Sequence, residues 1–190
     1  MRPAVFLDRD GTLIEERGYL DRLDMLTVFP WTADALRLFK RAGLATVVIT
    51  NQAAIGRGII DEPFLAEVHR ELSARLERGG AAIDRYYYCP HIVDAKLAQY
   101  RVACHCRKPE PGMIEQACRE MDVDPARSFM VGDRWLDVAC GRAAGTRAIL
   151  VRTGHGAYEA EMAPPDGLRA DAILNNLMEA AGWILRNSSR

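Results

Sequence analysis

Two aspartates, Asp8 and Asp10, stand one residue apart, directly after the apolar run Ala4-Val5-Phe6-Leu7. Carboxylates placed like this can carry out phosphoryl transfer. One attacks the phosphorus and becomes an aspartyl phosphate. The other protonates the departing oxygen and later activates water. A turn at Gly11 is expected to bring both towards one ligand. Crowded carboxylates and a phosphate dianion repel one another, so the chemistry calls for a divalent cation, and oxygen ligands favour magnesium. Asp133 supplies a further carboxylate for such a site. Thr50 offers a hydroxyl to a phosphate oxygen, and Lys108 offers a point charge.

These residues act together only if the fold brings them together. Short apolar runs alternate with amphipathic stretches along the chain. Strands are expected at Ala4–Leu7, Ala45–Ile49, Tyr86–Tyr88, Ser128–Val131, Arg147–Val151 and, at an edge, Ala172–Leu174. Helices are expected at about Thr32–Ala42, Asp61–Arg78, Gly112–Met121, Leu136–Ala144 and Met178–Leu185. Asp61 suits a helix N-cap and Gly43 a helix C-terminus. Near-continuous apolar strands alternating with helices predict a Rossmann-like three-layer α/β/α fold with a mainly parallel central sheet. In such sheets ligands bind beyond the carboxyl ends of the strands. Asp8 and Asp10, Thr50 and Asn51, and Gly132 and Asp133 all follow apolar runs, so they should share one site.

Three of the five cysteines form a second constellation with a histidine. Cys89-Pro90-His91 and Cys104-His105-Cys106 make a CxH…CxC arrangement with twelve residues between its halves. Three thiolates and one imidazole match a closed structural zinc site, with Cys89, His91, Cys104 and Cys106 as ligands and His105 as a bystander. Four protein ligands leave no open position for catalysis. Segment 89–106 is therefore expected to be a zinc-stabilised loop that places Arg107 and Lys108 at the rim of the site. Cys118 and Cys140 fall in helical patterns and read as small core residues.

The set Asp8-Arg9-Asp10-Gly11-Thr12, Thr50-Asn51, Arg107-Lys108-Pro109 and Gly132-Asp133-Arg134-Trp135-Leu136-Asp137 closely resembles the four motifs of the haloacid dehalogenase superfamily. The resemblance runs from about residue 4 to 153. It implies Asp8 as nucleophile, Asp10 as general acid and base, and Thr50 and Lys108 as phosphate stabilisers. It also implies magnesium held by Asp8, the Asp10 carbonyl and Asp133. Asp137 would support the metal from behind or through water, and Arg134 would stand beside it.

The zinc segment, Gly18-Tyr19, Thr50-Asn51-Gln52 and the run around Gly154-His155-Gly156 look most like the subfamily that holds heptose-bisphosphate and histidinol-phosphate phosphatases. That likeness implies removal of the 7-phosphate of D-glycero-D-manno-heptose 1,7-bisphosphate. Glu16, Arg17, Gly18 and Tyr19 would form a substrate loop, and Asn51, Gln52, Ala53 and Arg107 would help recognise the sugar phosphate. Two departures are visible. Ala54 replaces a usual Gly, which could alter the backbone of that loop, and Arg134 stands where a Lys is common. Histidinol phosphate and a polynucleotide 3′-phosphate are the alternative substrates. An inactive zinc-stabilised binding module is the alternative outside enzymes, opposed by the retention of both Asp8 and Asp10.

Bulk properties agree. The chain has 190 residues and 49% hydrophobic residues, which suits one domain over 1–190 without a large cap domain. A net charge of −1 and no basic stripe oppose nucleic acid as partner. No apolar run approaches the roughly 18 residues of a membrane span, and the first residues do not read as a signal peptide. The expectation is a cytoplasmic monomer acting on a small sugar phosphate.

Overall fold

The computed structural model describes residues 1–188, the side chain of Asp166 aside. The elements in chain order are β1 (Ala4–Leu7), α1 (Thr32–Arg41), β2 (Ala45–Asn51), α2 (Ala53–Gly56), α3 (Glu62–Arg78), β3 (Arg85–Cys89), α4 (Gly112–Met121), β4 (Phe129–Gly132), α5 (Trp135–Ala143), β5 (Arg147–Val151), α6 (Gly156–Glu161), β6 (Ala172–Leu174) and α7 (Leu177–Asn187). The strands form one sheet in the order β3-β2-β1-β4-β5-β6, with every neighbouring pair parallel. The expected Rossmann-like three-layer architecture is present, and the sheet is wholly rather than mainly parallel.

Each central strand splits its side chains between two cores. Val5 and Leu7 of β1, Phe129 and Val131 of β4, and Ile149 and Val151 of β5 face one core, shared with Leu36 and Phe39 of α1, Val68, Leu72 and Leu76 of α3, and Leu177 and Ile184 of α7. Ala4, Phe6, Met130, Ala148 and Leu150 face the other, with Met113, Ile114 and Ala117 of α4 and Val138 and Cys140 of α5. Alternation of side chains along a strand makes this division inevitable once helices cover both faces. Burial on both sides is why the strand sequences are almost uninterruptedly apolar.

The strand order reverses direction at β1. The chain steps outward through β2 and β3, then returns to place β4 on β1's other side. Such a switch point opens a crevice at the carboxyl ends of the strands. Asp8 follows β1, Thr50 lies near the end of β2 and Asp133 follows β4.

Local signals explain most boundaries. The Asp61 side chain accepts a hydrogen bond from Phe64 N at 2.8 Å and caps α3. Gly43, with φ of 73°, ends α1 in a left-handed conformation that suits glycine. Two short helices, α2 and α6, lie where no helix was expected. A four-residue and a six-residue turn carry too little periodicity to show in sequence. Ala54 sits inside α2, and among the described residues only Asp122 is a non-glycine with positive φ. Ala54 therefore demands no special backbone angle, contrary to expectation.

Candidate active site and metal centres

Three acidic side chains meet at the switch point. One ligand atom each from Asp8, Asp133 and Asp137 lies within 4.8 Å of the others, and all three residues are buried. Lys108 enters from the zinc segment. Its Nζ donates to Asp8 Oδ1 at 2.7 Å and to the Ile49 carbonyl at 3.1 Å, and lies 2.6 Å from Asp137 Oδ1. Asp137 was expected only as support for a metal. It stands beside Asp8 and Asp133, where such support is possible, and is also Lys108's second carboxylate partner, fully buried, with its Oδ2 accepting from Arg134 N at 3.1 Å to close the start of α5.

The electrostatics follow from this crowding. Burial pushes the Asp8 carboxyl up to about 7, against the pull of Lys108, and the Asp137 and Asp10 charges add to the rise. Burial and the neighbouring Asp8 and Asp137 charges push Asp133 up to about 9. Burial alone would lower the Lys108 ammonium, but Asp137 and Asp8 outweigh it and the net direction is upward. The site thus holds one buried cation among three buried carboxyl groups, short of positive charge.

Asp133 has one occupied oxygen and one idle one. Oδ2 accepts from His155 N at 2.7 Å, while Oδ1 is buried without a hydrogen-bond partner among the described residues. A buried orphan carboxylate oxygen beside Asp8 is the donor chemistry a hard divalent cation uses. The backbone makes room for it. Gly11 (φ 79°) and Gly154 (φ 55°) pack against Asp133 so closely that a Cβ on either would land on its Oδ2.

Asp10 lines the same cleft and is held by its neighbours. Its carboxylate is forked by Arg9, with Nε at 3.2–3.3 Å and Nη2 at 3.0 Å, and accepts from Gln52 Nε2 at 3.1 Å. Gln52 Nε2 also donates to Thr50 Oγ1 at 2.8 Å. Asn51 grips the Lys108 backbone through both ends of its amide, each at 3.0 Å. Asn51 and Gln52 therefore brace the site while also lining its cleft.

The cleft above these groups measures about 450 Å³, within the usual range for small-ligand sites. Asp8, Asp10, Glu16, Gly18, Tyr19, Thr50, Asn51, Gln52, Ala53, Arg107, Lys108 and Asp133 line it together with Arg134 and Asp137. Arg17 does not. Its guanidinium pairs with Glu15 on the exposed side of the loop. Arg9, Leu20, Ala54, Leu136 and His155 also line the cleft. His155 could have been inferred from its place just after β5, at the same sheet edge.

The second centre is as compact. Cys89 Sγ lies 3.4 Å from Cys104 Sγ and 3.1 Å from Cys106 Sγ, and Cys104 and Cys106 are 3.0 Å apart. His91 Nδ1 lies 3.3 Å from Cys106 Sγ and 3.8 Å from Cys89 Sγ. No pair is disulfide-bonded. Ligand bonds of about 2.0–2.3 Å to a tetrahedral zinc give edges of about 3.5–3.8 Å; the His91 separations bracket that range and the sulfur pairs are shorter than it. His105 is outside the cluster, with its imidazole between Glu110 and Glu115. Arg107 Nη1 donates to the His91 carbonyl at 3.0 Å, tying the cysteine knot to the cleft rim. No helix among the described residues is long and apolar enough to cross a membrane.

Comparison with known proteins places this geometry. Residues 105–180 match a family model described as HAD-hydrolase-like. The chain is 41% identical over 180 residues to the D-glycero-beta-D-manno-heptose-1,7-bisphosphate 7-phosphatase of Photorhabdus laumondii, covering 93% of this chain and 92% of that protein. It is 39% identical to the protein of that name from Escherichia coli K12, covering 93% and 91%. The crystal structure of D,D-heptose 1,7-bisphosphate phosphatase from B. bronchiseptica, complexed with magnesium and phosphate, superposes with a TM-score of 0.85. That match has 30% identity and covers 97% of this chain and 99% of the other.

Proposed function

This chain is a phosphatase of the haloacid dehalogenase superfamily, and from that premise we propose that it removes the 7-phosphate of D-glycero-D-manno-heptose 1,7-bisphosphate. The observation that carries the reading is the Asp8 carboxylate at the cleft floor, paired with Lys108 and set beside the idle oxygen of Asp133. Asp8 attacks the phosphorus and Lys108 neutralises the phosphoryl oxygens, with Thr50 donating its hydroxyl to them. Asp10 gives a proton to the departing sugar oxygen, then takes one from the water that attacks the aspartyl phosphate. Arg107, Arg134, Asn51, Gln52, Ala53, Glu16, Gly18 and Tyr19 form the surface against which the sugar and its second phosphate rest. Arg17 contributes only by pairing with Glu15.

Asp8, Asp133 and the Asp10 carbonyl would hold a magnesium ion, which supplies charge neutralisation and orients the phosphoryl group. Asp137 anchors Lys108 behind them. Cys89, His91, Cys104 and Cys106 would hold a structural zinc, fixing the strand-to-helix segment that delivers Arg107 and Lys108. Free thiols packed this closely suit a reducing compartment, so the reading includes a cytoplasmic enzyme. Every group named comes from one chain folded as one domain, so a monomer suffices.

The deciding experiment measures kcat/KM for both anomers of heptose 1,7-bisphosphate and for histidinol phosphate, with magnesium present. The expected result favours the heptose bisphosphate by at least ~100-fold, since histidinol phosphate has no second phosphate and leaves the charged groups proposed to hold it unpaired, at a cost of several kcal/mol. Equal or better turnover of histidinol phosphate would overturn the assignment.

Magnesium binding should also be linked to pH. The folded-state values of about 7 for Asp8 and about 9 for Asp133 lie above their ordinary value of 3.8. The metal-free folded chain therefore keeps protons that the unfolded chain gives up. The stability these two groups contribute is fully present below about pH 4 and is lost as pH rises to about 9. A cation competes with those protons, so magnesium should raise Tm more at about pH 8.5 than at about pH 5.5. Thermal melts with and without magnesium check the sign.

A further inference from the structure

We infer that Arg9 is a positioning residue that holds Asp10 in its working orientation, and that His69 on α3 sets Arg9 in place. The inference rests on the reading of Asp10 as acid and base. Arg9's side chain is only 3% exposed, an unusual place for a guanidinium whose neighbours in sequence are the two reacting carboxylates. One edge of its fork grips Asp10, and its remaining arm, Nη1, lies 3.4 Å from His69 Nε2. A guanidinium can only donate, so His69 Nε2 must be the unprotonated nitrogen. Burial and then the Arg9 charge hold the His69 imidazole down to about 3, so it accepts from Arg9 and does not repel it.

His69 is itself fixed. Its ring stacks on Tyr86 of β3 at 4.4 Å with an 18° interplanar angle, and the Tyr86 hydroxyl meets Ser73 Oγ at 2.9 Å. A partly buried chain of contacts thus runs from the α3–β3 packing to the Asp10 carboxylate through one buried cation, Arg9. Its chemical consequence lies in proton transfer. As Asp8 bonds to phosphorus, the bond to the sugar oxygen breaks and that oxygen takes Asp10's proton. Water then attacks phosphorus and gives Asp10 a proton as Asp8 leaves. Arg9 fixes where that carboxyl group stands in both steps, and a displacement of about 1 Å can cost ~100-fold.

The test separates protonation from other losses by leaving group. A sugar alkoxide needs a proton to depart, whereas p-nitrophenolate does not. Arg9→Met should slow the burst of leaving-group release in a single turnover by ~10-fold or more for the sugar phosphate and by less than about 3-fold for p-nitrophenyl phosphate, while the later hydrolysis of the aspartyl phosphate slows equally for both. His69→Leu should show the same pattern more weakly, and His69→Gln, whose amide oxygen can accept from Nη1, should recover most of the loss. The ratio of two rates within one variant does not depend on the fraction folded. Equal losses of leaving-group release on both substrates, or no loss in either Arg9→Met or His69→Leu while Asp8→Asn is inactive, would overturn the positioning role. An active Asp8→Asn would instead overturn the reading beneath it.

Discussion

Asp8→Asn should stop turnover while leaving the protein at least as stable as before. An amide is no nucleophile for phosphorus, and no other carboxylate can take its place. Asp10 is forked by Arg9, and Asp137 is fully buried against Lys108. Loss of a nucleophile typically costs on the order of 10⁴-fold or more. Stability should move the other way in metal-free protein at neutral pH. Replacing one of three crowded carboxyl groups removes a charge whose neighbours Asp133 and Asp137 oppose it, while Lys108 keeps Asp137 at 2.6 Å. Phosphate release, trapping of phosphoenzyme and a thermal melt check the three parts together. Residual turnover within about tenfold of the parent would sink the nucleophile assignment.

Lys108→Met should damage both stability and rate, and so differ from Asp8→Asn. Among the described residues, Lys108 alone places a cation against both Asp8 and Asp137. Breaking a buried pair by deleting one partner usually costs about 3–5 kcal/mol, because the remaining charge is left without compensation. Here two carboxylates lose their partner, although protonation of Asp8 will absorb part of the cost. Turnover should fall by ~10²-fold or more from the lost stabilisation of phosphoryl charge. Denaturant unfolding in the absence of magnesium is the sensitive measurement. Unchanged stability would mean that the ion pairs at 2.6 and 2.7 Å contribute nothing net. Magnesium should restore part of the lost stability, since it offers the carboxylates another positive partner.

The sequence exposes some parts of this site and conceals others, for physical reasons. Asp8, Thr50 and Asp133 are legible because each ends an apolar strand, and the convergence of strand ends is a rule of parallel sheets. The cysteine centre is legible because thiolates and imidazole at short spacing have few other uses. The roles of charged side chains within the site are much less so. Nothing in the order of residues shows that Asp137 reaches Lys108, that Arg17 turns away to Glu15, or that Arg9 turns inward to Asp10. Each depends on a rotamer and on what a distant element places beside it. His69 is the extreme case. On α3 it reads as one polar residue on a helix face, and only the packing of α3 against β3 brings it to Arg9. The helices α2 and α6 are hidden for a simpler reason, being shorter than the repeat needed to recognise them.

The pairing of Lys108 with Asp8 spans one hundred residues of chain. Asp133 joins them from a strand that pairs with β1 only after the whole cysteine segment and α4 have been made. Contacts of such long range form late, because loop closure must come before they give any reward. A growing or nicked chain that has built β1, β2 and β3 would hold a nucleophile without its cation partner or its metal-binding neighbour. Catalytic competence therefore reports complete folding, and a fragment should neither hydrolyse phosphate esters nor be trapped as a phosphorylated species.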